Sequence, residues 1–238
     1  MDNNEFKNLI KNAYCAPKPV RKDEFISKLR PGKVSTFRML LQQIPYIRPY
    51  VWIISAVIIG IAIAGSVIGG EGTDRLIGLI MPITAVVGMI ENGRSKRYNM
   101  SELEMATRFS LRSVILARMA IMGFLAVIVT AIASPVIANS FGMQAVMTAE
   151  TILMPYLMTM IISLHIERSP LGRENGLSSV VVAGAVMLLF FLIWESETGI
   201  VLYSSFISGG CGVAAVIVLG ALTLTEQWLT VRNVEAFA

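Results

Sequence analysis

The chain has 238 residues, of which 55% are apolar and 15% charged, with a net charge of +4. Soluble domains carry roughly 25% charged residues, and a mean hydropathy of +0.67 would expose large apolar patches if the surroundings were water. A soluble enzyme and a disordered chain therefore both fit poorly, and the composition points to an all-α, polytopic membrane protein.

About fifty mostly polar residues precede the first long apolar run, and the opening Met1-Asp2-Asn3-Asn4-Glu5 has no secretory character. Ala16-Pro17-Lys18-Pro19 favours an extended, polyproline-like stretch. Ser35 or Thr36 can then cap a short helix whose apolar residues Phe37, Leu40, Leu41 and Ile44 share one face. Two readings stand: an amphipathic helix lying along the inner leaflet, or a helix packed on the body of the protein. Pro45 and Pro49 bend the chain toward the first span.

Six runs are candidates for crossing about 30 Å of hydrocarbon: Val51–Ile68, Leu76–Ile90, Val114–Ala138, Met143–Ile166, Leu177–Trp194 and Ile200–Leu224. The second is short, reaching about 22 Å as a helix, and Pro82 interrupts it. The distribution of basic residues argues for keeping it. With six spans and the N-terminus inside, ten Lys/Arg precede the first span. Six lie from the second-to-third connection to the first turns of the third span, two are Arg168 and Arg173, and one is Arg232. Only Arg75 is left outside, whereas deleting the second span divides the twenty equally between the two sides. The positive-inside rule thus favours six spans with both termini cytoplasmic. The same asymmetry accounts for the positive net charge, so no nucleic-acid partner is implied. The layout is a cytoplasmic segment 1–50, a six-helix domain 51–224 and a cytoplasmic tail 225–238. Cys15 and Cys211 lie in unlike surroundings and are expected to be free thiols.

Between the second and third spans, Glu91 is followed by a basic stretch and then by Ser101-Glu102-Leu103-Glu104-Met105-Ala106-Thr107-Arg108-Phe109. Ser101 with Glu104 forms a capping box, and Ser110 can cap again before the third span. A helix of about two turns, Glu102–Phe109, results, with Leu103, Ala106 and Phe109 on its less polar side. Such a helix suits docking into a partner's groove or is a plain surface helix.

This stretch resembles the coupling segment of ABC transporter permeases of the ABC-2 exporter class. In that class an acid after the second span, an acidic-hydrophobic helix, a Ser-containing turn and an apolar third span with an early basic residue follow one another. Here these are Glu91, Ser101–Met105, Ser110 and Val114-Ile115-Leu116-Ala117-Arg118. Six spans, an amphipathic lead-in and small outer loops extend the likeness along nearly the whole chain. Phe109 stands where the family often has Pro, and only about five residues separate the fifth and sixth apolar runs, where many members carry re-entrant helices. The resemblance implies a plasma-membrane permease that pairs with a second permease chain, identical or a sibling, and with P-loop ATPase subunits. ATP and Mg would belong to the ATPase. Glu91, Glu102, Leu103, Glu104, Ala106 and Phe109 would couple hydrolysis to movement.

No Gly-x-x-x-x-Gly-Lys-Ser/Thr loop occurs in the sequence, so no cofactor is expected on this chain. Nor does any span contain paired acids or a His-Glu-x-x-His motif, and the single histidine, His165, ends the fourth span. The chain is accordingly not expected to be an enzyme. Met147, Glu150, Met154 and Met158 follow one another at helical spacing on the fourth span. They read either as the lining of a path for amphiphilic cargo such as a peptide, antibiotic or lipid-like compound, or as helix packing with Glu150 near the outer surface. Gly60, Ala64, Gly65 and Gly69 on the first span permit close helix approach, within the chain or across a dimer. A membrane anchor or sensor that recruits cytoplasmic proteins would share this topology and is the alternative function.

Overall fold

Apolar runs too long for a soluble core, separated by short polar breaks, fold into helices joined by short links. The computed structural model describes residues 36–68, 72–97, 111–142, 144–169, 177–208 and 210–235. Among them no strand occurs, and six helices are long and apolar enough to cross a membrane. The chain is a multi-pass membrane protein.

Helix α1 (Thr36–Gln43) runs into a 3-10 turn, Ile44–Tyr46, that contains Pro45. Leu41 and Ile44 are exposed while Gln43 is buried. Helix α2 (Pro49–Ile68) starts on a proline, whose missing N–H is harmless at the first helical position. Helix α3 spans Thr73–Arg97, well beyond the expected Leu76–Ile90, and its membrane-length stretch is Thr73–Asn92. Thr73, Asp74, Glu91 and Asn92 read as loop in the sequence, yet all four are buried. Asp74 sits in the first turn of the helix, where the exposed N–H groups favour a negative charge. The doubtful second span is thereby a full-length helix.

Helices α4 (Leu111–Phe141), α5 (Ala145–Arg168) and α6 (Ser178–Glu195) correspond to the third, fourth and fifth runs. The sixth run departs from expectation. Instead of one span over Ile200–Leu224, it forms a 12-residue helix α7 (Glu197–Ser208) and a 25-residue helix α8 (Cys211–Glu235). The break falls between Ser208 and Cys211, where Gly210 has a φ of 74°, a conformation that carries no penalty without a Cβ. Apolar periodicity runs through this break unchanged, so hydropathy alone cannot locate it. Helix α8 also continues through most of the segment 225–238 that was assigned to a tail. Cys211 at its start is a free, exposed thiol.

Helices α3 and α5 form the centre. Of the membrane-length stretch of α3, 61% is buried against protein, compared with 11% for α8 at the periphery. Helices α2 and α4 pack on one side of this pair and α6 on the other, while α8 leans on α5 and α4, and α7 on α6 and α8. The main core joins Ile58, Ile77, Met81, Met119, Ile137, Ile152 and Leu164. The central helices approach closely at Gly78, where a Cβ would lie 2.8 Å from both the Thr151 carbonyl oxygen and Trp194 Cη2. Pro82 and Pro155 lie inside these two helices. Each withholds an N–H from the residue four before it, and those residues are Gly78 and Thr151. Both central helices therefore carry a carbonyl released from its usual donor at the same crossing.

Buried hydroxyls elsewhere bond back into their own helices, as Ser55 to the Val51 carbonyl, Thr130 to Ala126 and Thr159 to Pro155. This keeps them satisfied where lipid offers no partner. Gly65 packs against Thr73 of α3, so this glycine serves contact within the chain, whereas Gly60 faces open space.

Candidate functional site: buried acids at the two ends of the central helices

The end at which α2 meets α3 and α4 meets α5 is the outer end in the orientation expected from the basic residues; the opposite end is the inner one. Each end holds one acid of a central helix that is only 5% exposed: Glu150 of α5 at the outer end and Glu91 of α3 at the inner end. Charges buried in a membrane bundle are costly and mark functional positions by default.

At the inner end, the Tyr50 hydroxyl at the start of α2 donates to Glu91 Oε1 at 2.5 Å, and Arg48 Nε lies 3.9 Å from the same oxygen. The turn leading out of α1 is thus tied to the second span by a buried carboxylate. Asn92 beside it is buried with both side-chain polar atoms unpartnered, as is Gln43 Oε1. Below them Ile47, Val51, Val87 and Met122 close the packing. Glu91, expected to belong to the coupling segment, is consequently enclosed near the inner end of α3. The rest of the expected coupling set, Glu102, Leu103, Glu104, Ala106 and Phe109, lies outside the described residues. A second inner contact joins α5 to α8: Arg168 pairs with Glu226 at 3.2 Å and His165 Nδ1 lies 3.4 Å from the same carboxylate.

At the outer end, α5 presents Glu150, Thr151 and Met154 toward α6, α7 and α8. The Glu150 carboxylate rests directly on Gly212 of α8, where any Cβ would collide with it. Its Oε2 has no hydrogen-bond partner. The hydroxyl of Tyr203 in α7 is 3.9 Å from the Met154 sulfur. Phe190, Trp194 and Tyr203 form an aromatic group with ring centroids 5.5 to 6.4 Å apart, and the buried Trp194 Nε1 has no partner. Of the expected methionine face, Met154 and Met158 pack on α6 with these rings, while Met147 is half-buried nearer the outer edge. The four residues thus follow one side of α5, with Glu150 and Met154 buried and Met147 and Met158 half-buried.

Asp74, Trp194, Tyr203 and Gly212 were not singled out in the sequence. Asp74 looked like loop, Tyr203 and Gly212 sat within one uninterrupted apolar run, and Trp194 marked only the end of a span. Among the described residues no group of three His, Cys, Asp or Glu side chains is placed to hold a metal ion. Compared with known proteins, the chain finds no counterpart: no family model, no curated protein and no solved structure matches it.

Proposed function

We propose that this chain is the permease subunit of an ATP-driven exporter of the ABC-2 class. Two permease chains and two P-loop ATPase subunits would form the working assembly in the plasma membrane, with both termini cytoplasmic. ATP and Mg would be held by the ATPase, and cargo would be amphiphilic. The observation that carries the reading is the placement of buried acids on the two innermost helices, at opposite ends of the bundle. An anchor or sensor needs only lipid-compatible helices and has no use for enclosed carboxylates.

Two further features support it. The short helix α7 lies between the fifth and sixth membrane-length helices, the place in the chain where many ABC-2 permeases carry re-entrant helices. Prolines at the α3–α5 crossing give both central helices a place to flex, as expected of a bundle that alternates between two packings. In this scheme α1 and the turn after it, with Leu41 and Ile44 exposed, lie on the inner leaflet. The ATPase presses on Glu102–Phe109, and Glu91 transmits the push to the start of α2 through Tyr50.

The test is co-purification with a P-loop ATPase, followed by the double substitution Leu103→Asp and Phe109→Asp. The expected outcome is normal membrane insertion, retained basal ATP hydrolysis and loss of cargo transport. Transport at the parent rate in that double variant removes the coupling assignment. Failure to find any ATPase partner favours the anchor or sensor.

A further inference from the structure

The carboxylate of Glu150 is out of keeping with its surroundings. It is 5% exposed, its Oε2 accepts no hydrogen bond, and among the described residues it makes no ion pair. An ionised group held away from water without a partner costs several kcal/mol. Packing does not explain the position, since the residue beneath it is glycine, and the carboxylate fills the space that a Cβ at 212 would occupy. An apolar side chain at 150 would pack there without that cost. The arrangement is that of an acceptor kept waiting for a donor.

The surroundings say which donor. At the same outer end lie the rings of Trp194 and Tyr203, 6.0 Å apart and nearly perpendicular, the ring of Phe190 in the same aromatic group, and the sulfur of Met154, four residues on from Glu150, beside the Tyr203 hydroxyl. Aromatic faces attract weakly hydrated organic cations, and thioether sulfur adapts to varied apolar shapes. The unpartnered Nε1–H of Trp194 supplies a donor for an oxygen on the same ligand.

We propose that the outer end of the bundle is a binding site for the protonated amine of an amphiphile, in which Glu150 accepts the ammonium N–H, Trp194 and Tyr203 flank the charge, and the apolar body lies along Met154 and Phe190. The site is closed in this structure by α7, which brings Tyr203. This helix follows α6 after Ser196 and ends at Ser208, and Gly210 precedes α8 with a φ of 74°, so its displacement opens the site while the membrane-length helices keep their contacts with one another. As a statement of cargo class the inference rests on the exporter reading; as a statement about binding it does not.

The test uses the purified full chain in lipid nanodiscs, without an ATPase, titrated by fluorescence with dansylcadaverine and with its N-acetylated, uncharged counterpart. The parent chain is expected to bind the amine roughly tenfold more tightly or better, the scale of one charge-assisted hydrogen bond. Glu150→Gln, which keeps the side-chain shape, is expected to abolish that preference and leave the acetylated probe unaffected. Tyr203→Leu is expected to reduce the preference even if Glu150→Gln yields no folded protein. Equal binding of the two probes by the parent chain overturns the proposal, as does a preference that survives Glu150→Gln or one that Tyr203→Leu leaves undiminished. A chain that prefers the amine but couples to no ATPase keeps the site and loses the exporter reading. A chain that drives coupled hydrolysis without amine preference does the reverse.

Discussion

The two enclosed acids differ in what surrounds them, and the difference predicts how each responds to substitution. Glu91 is a satisfied carboxylate: Tyr50 donates to it at 2.5 Å and Arg48 stands 3.9 Å away. Hydrogen bonds to charged groups contribute about 1.5–3 kcal/mol, and losing one in a buried place leaves the acceptor desolvated. Tyr50→Phe is therefore expected to lower the stability of the purified chain by about that amount, read as a lower thermal midpoint in detergent. A midpoint equal to the parent's would mean that the hydroxyl is not holding Glu91. By contrast, the Arg168–Glu226 pair joins side chains that are 29% and 17% exposed, where water and salt weaken the attraction, so its removal should cost far less. Glu91 was visible in the sequence as the acid just after the second span. Its partners were not, because Tyr50 lies 41 residues earlier in the chain.

Among the helices, the decisive feature is the division of the last apolar run. Residues 200–224 satisfy every hydropathy criterion for one span, and nothing in their periodicity changes at Gly209-Gly210. What breaks the helix is a backbone conformation, φ of 74° at Gly210, that lets α8 start afresh beside Glu150. A Cβ at this position meets no other atom, so a substitution there is penalised through the backbone alone. Gly210→Val is expected to cost about 1–3 kcal/mol, since a β-branched residue at positive φ is an outlier. The check is again the thermal midpoint, and a Gly210→Val chain as stable as the parent would count against the break. The opposite error occurred in α3, where polar ends read as loop are helix, because neighbouring helices bury Thr73, Asp74, Glu91 and Asn92. Both departures have one cause: the length of a helix at a span end is set by what packs against it.

For the molecule as a whole, the orientation decides every functional assignment. If the basic residues lie inside, the connection between α3 and α4 faces the cytosol and the α6–α7 turn faces out. In a Cys15→Ser, Cys211→Ser background, a cysteine at the exposed Thr198 is expected to react with a membrane-impermeant maleimide on intact cells. A cysteine at position 97 should react only after permeabilisation. The reverse pattern would invert the bundle, placing Glu150 at the cytosolic end and taking the ATPase-docking role from Glu102–Phe109.

Composition and charge asymmetry alone determined the membrane class, the helical fold and the expected number and direction of the crossings. These are properties summed over twenty residues at a time, and the bilayer reads them as sums. Glu150 stood out as an ionisable group in an apolar run, whereas Glu91 read as the start of the connection after the second span. Which helices are central, where the sixth run divides, that Glu91 is partnered while Glu150 Oε2 is not, and that Trp194 and Tyr203 gather beside it were decided only by the tertiary structure. Those facts depend on contacts between residues far apart in the chain, formed where glycines and prolines let helices cross closely, and no local pattern encodes them.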